Sequence, residues 1–137
     1  MSDAPAIHAT TVAIRGRGVL IEGPSGAGKS DLALRLIDRG AVLVSDDYTI
    51  LASCDRTLYA AAPATIVGKL EVRGVGIVEL PVVGPVPVAL AVWLGEPERL
   101  PEAETRVVGG VALPVVTLRP FEASTPIKVE LALDRLA

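Results

Sequence analysis

The chain has 137 residues, a formal net charge of −3 and 50% hydrophobic residues, but only 3% aromatic residues. This length suits one domain with an aliphatic core, and the β-branched content favours strands over helices. The acidic balance without a basic run argues against a nucleic-acid partner, and prolines in the longest apolar stretch, residues 80–94, exclude a transmembrane helix there.

The cysteine content and the first residues bear on the cellular compartment. Cys54 is the single cysteine, so an intrachain disulfide is excluded, and the N-terminal residues lack the charged and apolar regions of a signal peptide. We therefore expect a cytoplasmic protein. No internal repeat, linker or low-complexity tract interrupts the chain, which predicts one domain over residues 1–137.

Strands are predicted from short apolar runs bounded by turn residues. In chain order they cover residues 6–14, 18–22, 41–45, 48–53, 58–61, 70–77, 78–80, 86–94, 107–111 and 113–118. The strands at 6–14 and 18–22 are predicted to form a hairpin around a tight turn. The polar residues 95–106 predict a surface loop.

Helices are predicted in three places. The periodic apolar residues of 29–39, closed by Gly40, give the strongest pattern. A short helix is predicted from about residue 62 to residue 70. Thr125 as N-cap and Pro126 at the first helical position begin a final helix that reaches about residue 136.

A glycine-rich loop between strand 18–22 and helix 29–39 matches the P-loop pattern G-x-x-x-x-G-K-[ST]. Its glycines can adopt positive φ, and their N–H groups, with those of the helix N-terminus, form a nest for phosphate. The lysine supplies a cation for β- and γ-phosphates, and the serine offers a hydroxyl to Mg²⁺. The residues are Gly23, Pro24, Ser25, Gly26, Ala27, Gly28, Lys29 and Ser30.

This loop predicts that the protein binds ATP with Mg²⁺. The predicted fold is α/β, a P-loop-containing mixed β-sheet with the P-loop helix on one face and a C-terminal helix. Two adjacent carboxylates, Asp46 and Asp47, end the strand after the P-loop helix, at the same end of the sheet as the loop. One could hold Mg²⁺ through water, and the other could take a proton from an attacking hydroxyl.

Three blocks of sequence carry a resemblance to one family. They are the P-loop at residues 23–30, the strand and acidic pair at 40–47, and Leu-Glu-Val-Arg-Gly-Val-Gly-Ile at 70–77. In this order they resemble the C-terminal catalytic domain of HPr kinase/phosphorylase, whose signature reads Leu-Glu-Ile-Arg-Gly-x-Gly-Ile. The similarity runs from His8 to the final helix.

The resemblance implies an activity and a partner. The family uses ATP or pyrophosphate to phosphorylate a serine of HPr, the small phosphocarrier of the sugar phosphotransferase system, and can remove that phosphate by phosphorolysis. The family forms hexamers, so a homohexamer is implied. Its full-length form has a separate N-terminal domain, and we expect this chain to be a short form without it.

The resemblance also implies roles for individual residues. Asp47 is expected to be the base for the incoming serine hydroxyl and the acid for the reverse reaction, and Lys29 to hold the β- and γ-phosphates. Ser30 and Glu71 are expected to coordinate Mg²⁺. His8 stands where the family has an active-site histidine.

Two features in the later part of the chain bear on the resemblance. Arg99 stands in the polar loop where the family has an arginine. The family's late Arg-Pro-Gly-Arg-Asn motif reads Arg-Pro-Phe-Glu-Ala at residues 119–123, without the second arginine and the asparagine. In the family this motif is tied to dephosphorylation, so we expect phosphorolysis to be weak.

Two other functions are consistent with a P-loop. One is a kinase for a small metabolite, although a chain of this length has no obvious lid or acceptor domain. The other is a nucleotide-binding sensor that transfers nothing. Asp47 separates the sensor from a kinase, because a sensor needs no proton acceptor beside the γ-phosphate.

Overall fold

The computed structural model describes residues 2–136, and the side chains of residues 6–136. Within this range the chain forms eleven strands and two helices. In order they are β1 (Ser2–Ile7), β2 (Thr10–Ile14), β3 (Arg17–Glu22), α1 (Lys29–Asp38), β4 (Val42–Ser45), β5 (Thr49–Cys54), β6 (Thr57–Ala61), β7 (Lys69–Val72), β8 (Gly76–Glu79), β9 (Val86–Leu94), β10 (Glu104–Val108), β11 (Val111–Leu118) and α2 (Thr125–Asp134).

The main sheet is mixed, which confirms the predicted fold class. Its strands follow the order β1-β5-β6-β9-β3-β2-β4, with β11 also paired to β9 and β10 paired to β11. Both β3 and β11 run parallel to β9, whereas β2 is antiparallel to its neighbours β3 and β4. The hairpin of β7 and β8 forms a separate two-stranded sheet.

Both faces of the central strands are covered by aliphatic side chains. Alternate residues of a strand point to opposite faces, so Val19 and Ile21 face α1 and α2 while Leu20 joins the opposite cluster. Helix α1 contributes Leu32 and Leu36 to the first cluster, and both are fully buried. Neither helix in the described range is long and apolar enough to cross a membrane.

The structure corrects two predicted elements in the first half of the chain. Two strands, β1 and β2, stand where one strand is predicted at 6–14. The chain turns at His8 and Ala9, because β1 pairs with β5 whereas β2 pairs with β3. The short helix predicted at 62–70 is wrong. Residues 64–68 form successive turns, with bonds from Ile66 N to Pro63 O and from Lys69 N to Ile66 O, both at 3.1 Å.

Three further boundaries differ from the prediction. The run 70–77 is not one strand but part of the β7–β8 hairpin, whose turn uses Gly74 at φ 87°. Strand β10 begins at Glu104, inside the predicted loop, because it pairs with β11. The N-cap of α2 is Ser124, and the Thr125 hydroxyl instead donates to Arg119 O at 2.6 Å.

A partly buried ion pair joins the end of β3, just before the glycine loop, to the hairpin of β10 and β11. Glu22, the last residue of β3, is 8% exposed and bonds to Arg106 on β10. Burial raises the pKa of the Glu22 carboxyl above its usual value, and the charge and hydrogen bond of Arg106 oppose that rise. The pair therefore makes stability depend on pH.

We expect Arg106→Met to destabilise the protein more strongly as pH rises. Because the pKa of Glu22 is higher in the folded chain, its stabilising contribution is complete below the usual 4.5 and is lost as pH rises through the raised pKa. Removing Arg106 raises that pKa further and leaves a buried charge, at a cost of about 1–3 kcal/mol near pH 7. Urea unfolding measured from about pH 5 to about pH 8 tests this.

The control is the double variant Glu22→Gln/Arg106→Met. It lacks the titrating carboxyl, so its free energy of unfolding should not show the added pH dependence of Arg106→Met. An identical pH slope in the single and double variants would contradict the assignment.

Candidate functional site

The parallel strands bring two loops to one edge of the sheet. Because β3 and β11 both run parallel to β9, the loop after β3 and the loop after β11 lie at their shared carboxyl edge. The first is the glycine loop of residues 23–28, and the second is the 119–124 loop before α2. The carboxyl edge of parallel strands is where ligands bind in α/β folds.

Two of the three glycines in the glycine loop have the positive φ that the sequence predicts. Gly26 and Gly28 adopt left-handed φ angles of 78° and 102°, and α1 begins directly afterwards at Lys29. The Lys29 side chain lies over the loop, where its Nζ donates to Gly23 O and Pro24 O at 2.9 Å each. Lys29 is 7% exposed, and the first turn of α1, which it begins, carries the positive end of the helix dipole.

An open cavity of about 340 Å³ lies beside the loop. It is bounded by the glycine loop, the start of α1, the segment after β4 and the end of β7. Its volume lies in the range of small-ligand sites. The residues around it are His8, Ser25, Gly26, Gly28, Lys29, Ser30, Asp31, Leu34, Asp47, Glu71, Val72, Arg73 and Phe121.

Asp46 is a buried carboxylate that ties three elements together at this cavity. It is 7% exposed and accepts hydrogen bonds from Thr10 Oγ1 at 3.1 Å, Ser30 Oγ at 2.6 Å and Glu71 N at 3.0 Å. These donors come from β2, α1 and β7. Asp46 therefore fixes the serine of the glycine loop against the β7–β8 hairpin.

Asp47 lines the cavity and has its carboxylate paired with His8. It has a left-handed φ of 68°, a region that Asp tolerates better than most residues. Its backbone N–H donates to Thr10 Oγ1 at 3.2 Å, and its Oδ1 lies 3.0 Å from His8 Nε2. A carboxylate only accepts, so the His8 ring donates through Nε2. The His8 ring also lies beside Tyr48, with centroids 5.4 Å apart.

Five side chains predicted to act at the site line this cavity: His8, Lys29, Ser30, Asp47 and Glu71. Arg99 lies in the exposed loop between β9 and β10 and is not among the residues that line it. The chemical roles of all six stay predictions.

The sequence prediction is incomplete for several residues that shape the site. Asp46 is predicted only as one of two carboxylates, either of which could hold Mg²⁺ through water, and Thr10 gives no signal because its contact depends on the pairing of β2 with β4. Arg73 and Phe121 also line the cavity. The Phe121 position stood out only as a departure from a family motif.

The oxygen atoms at the cavity fit Mg²⁺. The Ser30 hydroxyl and the Asp46 carboxylate lie 2.6 Å apart, and the Glu71 backbone is bonded to the same carboxylate. Among the described residues there is no group of three or more His, Cys, Asp or Glu side chains that could hold a metal ion alone. Mg²⁺ usually takes one or two carboxylates and completes its shell with water and phosphate oxygens, so this donor set suits it.

The mixed sheet with its helices is an α/β fold, and a glycine loop that joins a parallel strand to a helix beside a cavity with acidic side chains is the arrangement typical of P-loop proteins. The sequence model of the HPr Serine kinase C-terminal domain family matches residues 1–83, and the chain belongs to this family.

Solved and curated proteins that are similar to this chain carry names of the same family. The structure of the Hpr(Ser) kinase/phosphatase from Coxiella burnetii superposes with a TM-score of 0.83 at 30% sequence identity, over 96% of this chain and 95% of that one. HPr kinase/phosphorylase from Mycoplasmopsis pulmonis is 54% identical over 41 residues, 30% of this chain. The Bacillus subtilis protein of the same name is 53% identical over 47 residues, 34% of this chain. The aligned segments are 13% and 15% of these two curated relatives.

Proposed function

We propose that this protein is an ATP-dependent protein-serine kinase that phosphorylates an HPr-like phosphocarrier of a phosphotransferase system. The observation that carries the proposal is Asp47, whose carboxylate lines the same cavity as Lys29 and the glycine loop. A phosphate-binding loop faces a potential proton acceptor there. Membership of the HPr Serine kinase C-terminal domain family supports the choice of acceptor.

The side chains fit two requirements of phosphate transfer, which are an acceptor for the serine proton and positive charge at the phosphates. The acceptor serine oxygen bonds to the γ-phosphorus of ATP while its proton passes to Asp47, and the bond between the β- and γ-phosphates breaks to release ADP. His8, bonded to Asp47 Oδ1, holds that carboxylate in place. Lys29 moves from the carbonyls of Gly23 and Pro24 to the β- and γ-phosphates, where backbone N–H groups of the loop also bind.

The metal half of the site would be built from Ser30, Asp46 and Glu71. Bound Mg²⁺ supplies positive charge to the phosphate oxygens. Asp46 accepts the Ser30 hydroxyl and the Glu71 N–H, so it orients both elements toward that position. Its burial keeps this arrangement rigid.

Glu71→Gln tests the metal assignment. A neutral amide is a poorer ligand for a hard cation than a carboxylate, so we expect the Mg²⁺ concentration for half-maximal transfer to rise severalfold. The measurement is a Mg²⁺ titration of phosphate transfer at fixed ATP. Glu79→Gln, at the end of β8 and opposite Lys69 rather than at the cavity, is the matched control. An unchanged titration for Glu71→Gln would remove this residue from the metal site.

We further propose that phosphorolysis is weak. Capture of inorganic phosphate needs fixed donors, and the family's second arginine is replaced by Glu122. The nearby Lys128 and then Arg119 lower the pKa of Glu122, so this residue stays negative. Adding phosphate to phosphorylated HPr should therefore release little pyrophosphate compared with the forward rate. Rapid pyrophosphate release would contradict this proposal.

Assembly and location are proposed from the same family resemblance. We expect a homohexamer of single-domain chains, 1–137, in the cytoplasm. Sedimentation equilibrium of the purified chain tests the assembly, and a monomer at micromolar concentration would contradict it.

One experiment separates the three functions considered. The protein is incubated with Mg²⁺ and γ-labelled ATP, with purified HPr or with a pool of small metabolites. A kinase for a phosphocarrier puts the label on HPr, and a metabolite kinase puts it on a small molecule. A sensor leaves it on ATP, a result that overturns both kinase functions.

A further inference from the structure

The single phenylalanine of the chain lies at the phosphate cavity rather than in the core. Phe121 is 67% exposed and lines the cavity beside the glycine loop. An isolated exposed apolar side chain is ordinary on a protein surface, so exposure alone carries no meaning. The position of the ring is the informative feature.

The ring is seated against the backbone of the glycine loop. A Cβ atom added to Gly28 would lie 2.7 Å from Cζ and 2.8 Å from Cε1 of Phe121. Gly28 directly precedes Lys29, so the ring borders the anion nest. A glycine at position 121, as in the family motif, would place no aromatic side chain beside the phosphate-binding N–H groups of the loop.

The segment that carries the ring is fastened to α1. Arg35 donates through Nη1 to Glu122 O at 3.1 Å and through Nη2 to Pro120 O, on either side of Phe121. The Thr125 hydroxyl holds Arg119 O at 2.6 Å. These bonds fix the backbone on either side of Phe121, so the segment can present the ring to a ligand without a large ordering cost.

The cavity is lined by both charged and apolar side chains. His8 and Asp47, the groups proposed to act on the acceptor hydroxyl, lie 3.0 Å apart there between Nε2 and Oδ1. Leu34, Val72 and Phe121 are the large apolar side chains around the cavity, and Phe121 follows β11 at the carboxyl edge of the sheet. A donor whose phosphates lie on the loop therefore has an apolar, aromatic surface for its uncharged end.

We propose that Phe121 is the specificity-determining residue for the phosphate donor: its ring contacts the nucleoside, so the site prefers nucleoside triphosphates to inorganic polyphosphates. This inference rests on the proposed function, because it assumes that the loop binds the donor phosphates. Stacking on an aromatic side chain tolerates any base, so preference for a nucleoside exceeds preference among nucleosides.

The test compares two ligands that share a triphosphate chain and differ in the nucleoside. Calorimetric titrations with Mg²⁺ and either adenylyl imidodiphosphate or inorganic tripolyphosphate are run on wild type, Phe121→Ala and Phe121→Trp. We expect Phe121→Ala to weaken the affinity for the nucleotide analogue at least about fivefold. The affinity for tripolyphosphate should stay within about twofold of the wild-type value. Phe121→Trp should keep nucleotide affinity. Leu100→Ala, another exposed apolar position but outside the cavity, is the control and should change neither affinity.

The outcomes separate this inference from the function on which it rests. An equal loss of affinity for both ligands in Phe121→Ala would mean that the ring only shapes the glycine loop. This result would overturn the inference, but the glycine loop would still be the phosphate-binding element. Unchanged binding of the nucleotide analogue would overturn it as well. Wild-type protein that binds neither ligand would overturn both the inference and the proposed kinase function.

Discussion

Asp47→Asn should abolish most phosphate transfer while nucleotide binding survives. A serine hydroxyl is a poor nucleophile until its proton has an acceptor, and the amide of asparagine cannot serve as one. We expect transfer to fall by about a hundredfold or more, the range for loss of a positioned base. Nucleotide affinity should hold or increase, because one negative charge facing the phosphates is removed.

The variant and its control are well matched in local structure. Asp47 has a φ of 68° and Asp55, in the turn between β5 and β6, has a φ of 50°. Asparagine is tolerated in this region, so neither change should strain the backbone. Asp55→Asn makes the same chemical change away from the cavity and should leave transfer unchanged. Undiminished transfer in Asp47→Asn would remove Asp47 as the base.

Lys29→Ala should be the second severe variant. The ammonium group serves charge that develops on the transferring phosphate, and removal of one such donor costs about a hundredfold to a thousandfold in kcat. Lys29 also bonds to Gly23 O and Pro24 O, so its loss frees two carbonyl groups of the loop. Single-turnover transfer and a melting curve on the same preparation measure the two effects.

Lys69→Ala is the control for this variant, since Lys69 is an exposed lysine of β7 that does not line the cavity. It should leave both transfer and stability near wild type. If Lys29→Ala turned over at a near-wild-type rate, the glycine loop would not be the phosphate-binding element.

The parts of the fold that local sequence determines were predicted well. Strand β9 has the predicted bounds of 86–94, and α1 begins at the predicted Lys29 and ends one residue before the predicted 39. In both cases the signal lies within the element, as an apolar run or as a glycine loop followed by apolar periodicity. The core is aliphatic, as the composition predicts.

The errors arose where distant pairing decides the structure. Residues 6–14 read as one strand because nothing local marks the change of partner at His8 and Ala9. The first residues of β10 read as a polar loop because their partner strand, β11, is needed to make them a strand. The turns at 64–68 contain Gly68 at φ 78°, a conformation that helix propensity alone does not reveal.

In the candidate site, too, features set by local sequence were predicted and features set by distant contacts were not. The glycine loop and Asp47 were predicted because loop, helix and the following strand are consecutive in sequence. The three hydrogen bonds that Asp46 accepts were not predicted, since their donors come from residues 10, 30 and 71. Only the folded chain brings them together, as it brings Phe121 against Gly28.

The most direct measurement is the mass of purified HPr after incubation with this protein, ATP and Mg²⁺, followed by fragmentation to locate the modification. A protein-serine kinase adds one phosphate to one serine of HPr, and the added mass disappears when that serine is changed to alanine or when the enzyme carries Asp47→Asn. HPr that keeps its original mass while the protein binds ATP would contradict the proposed function.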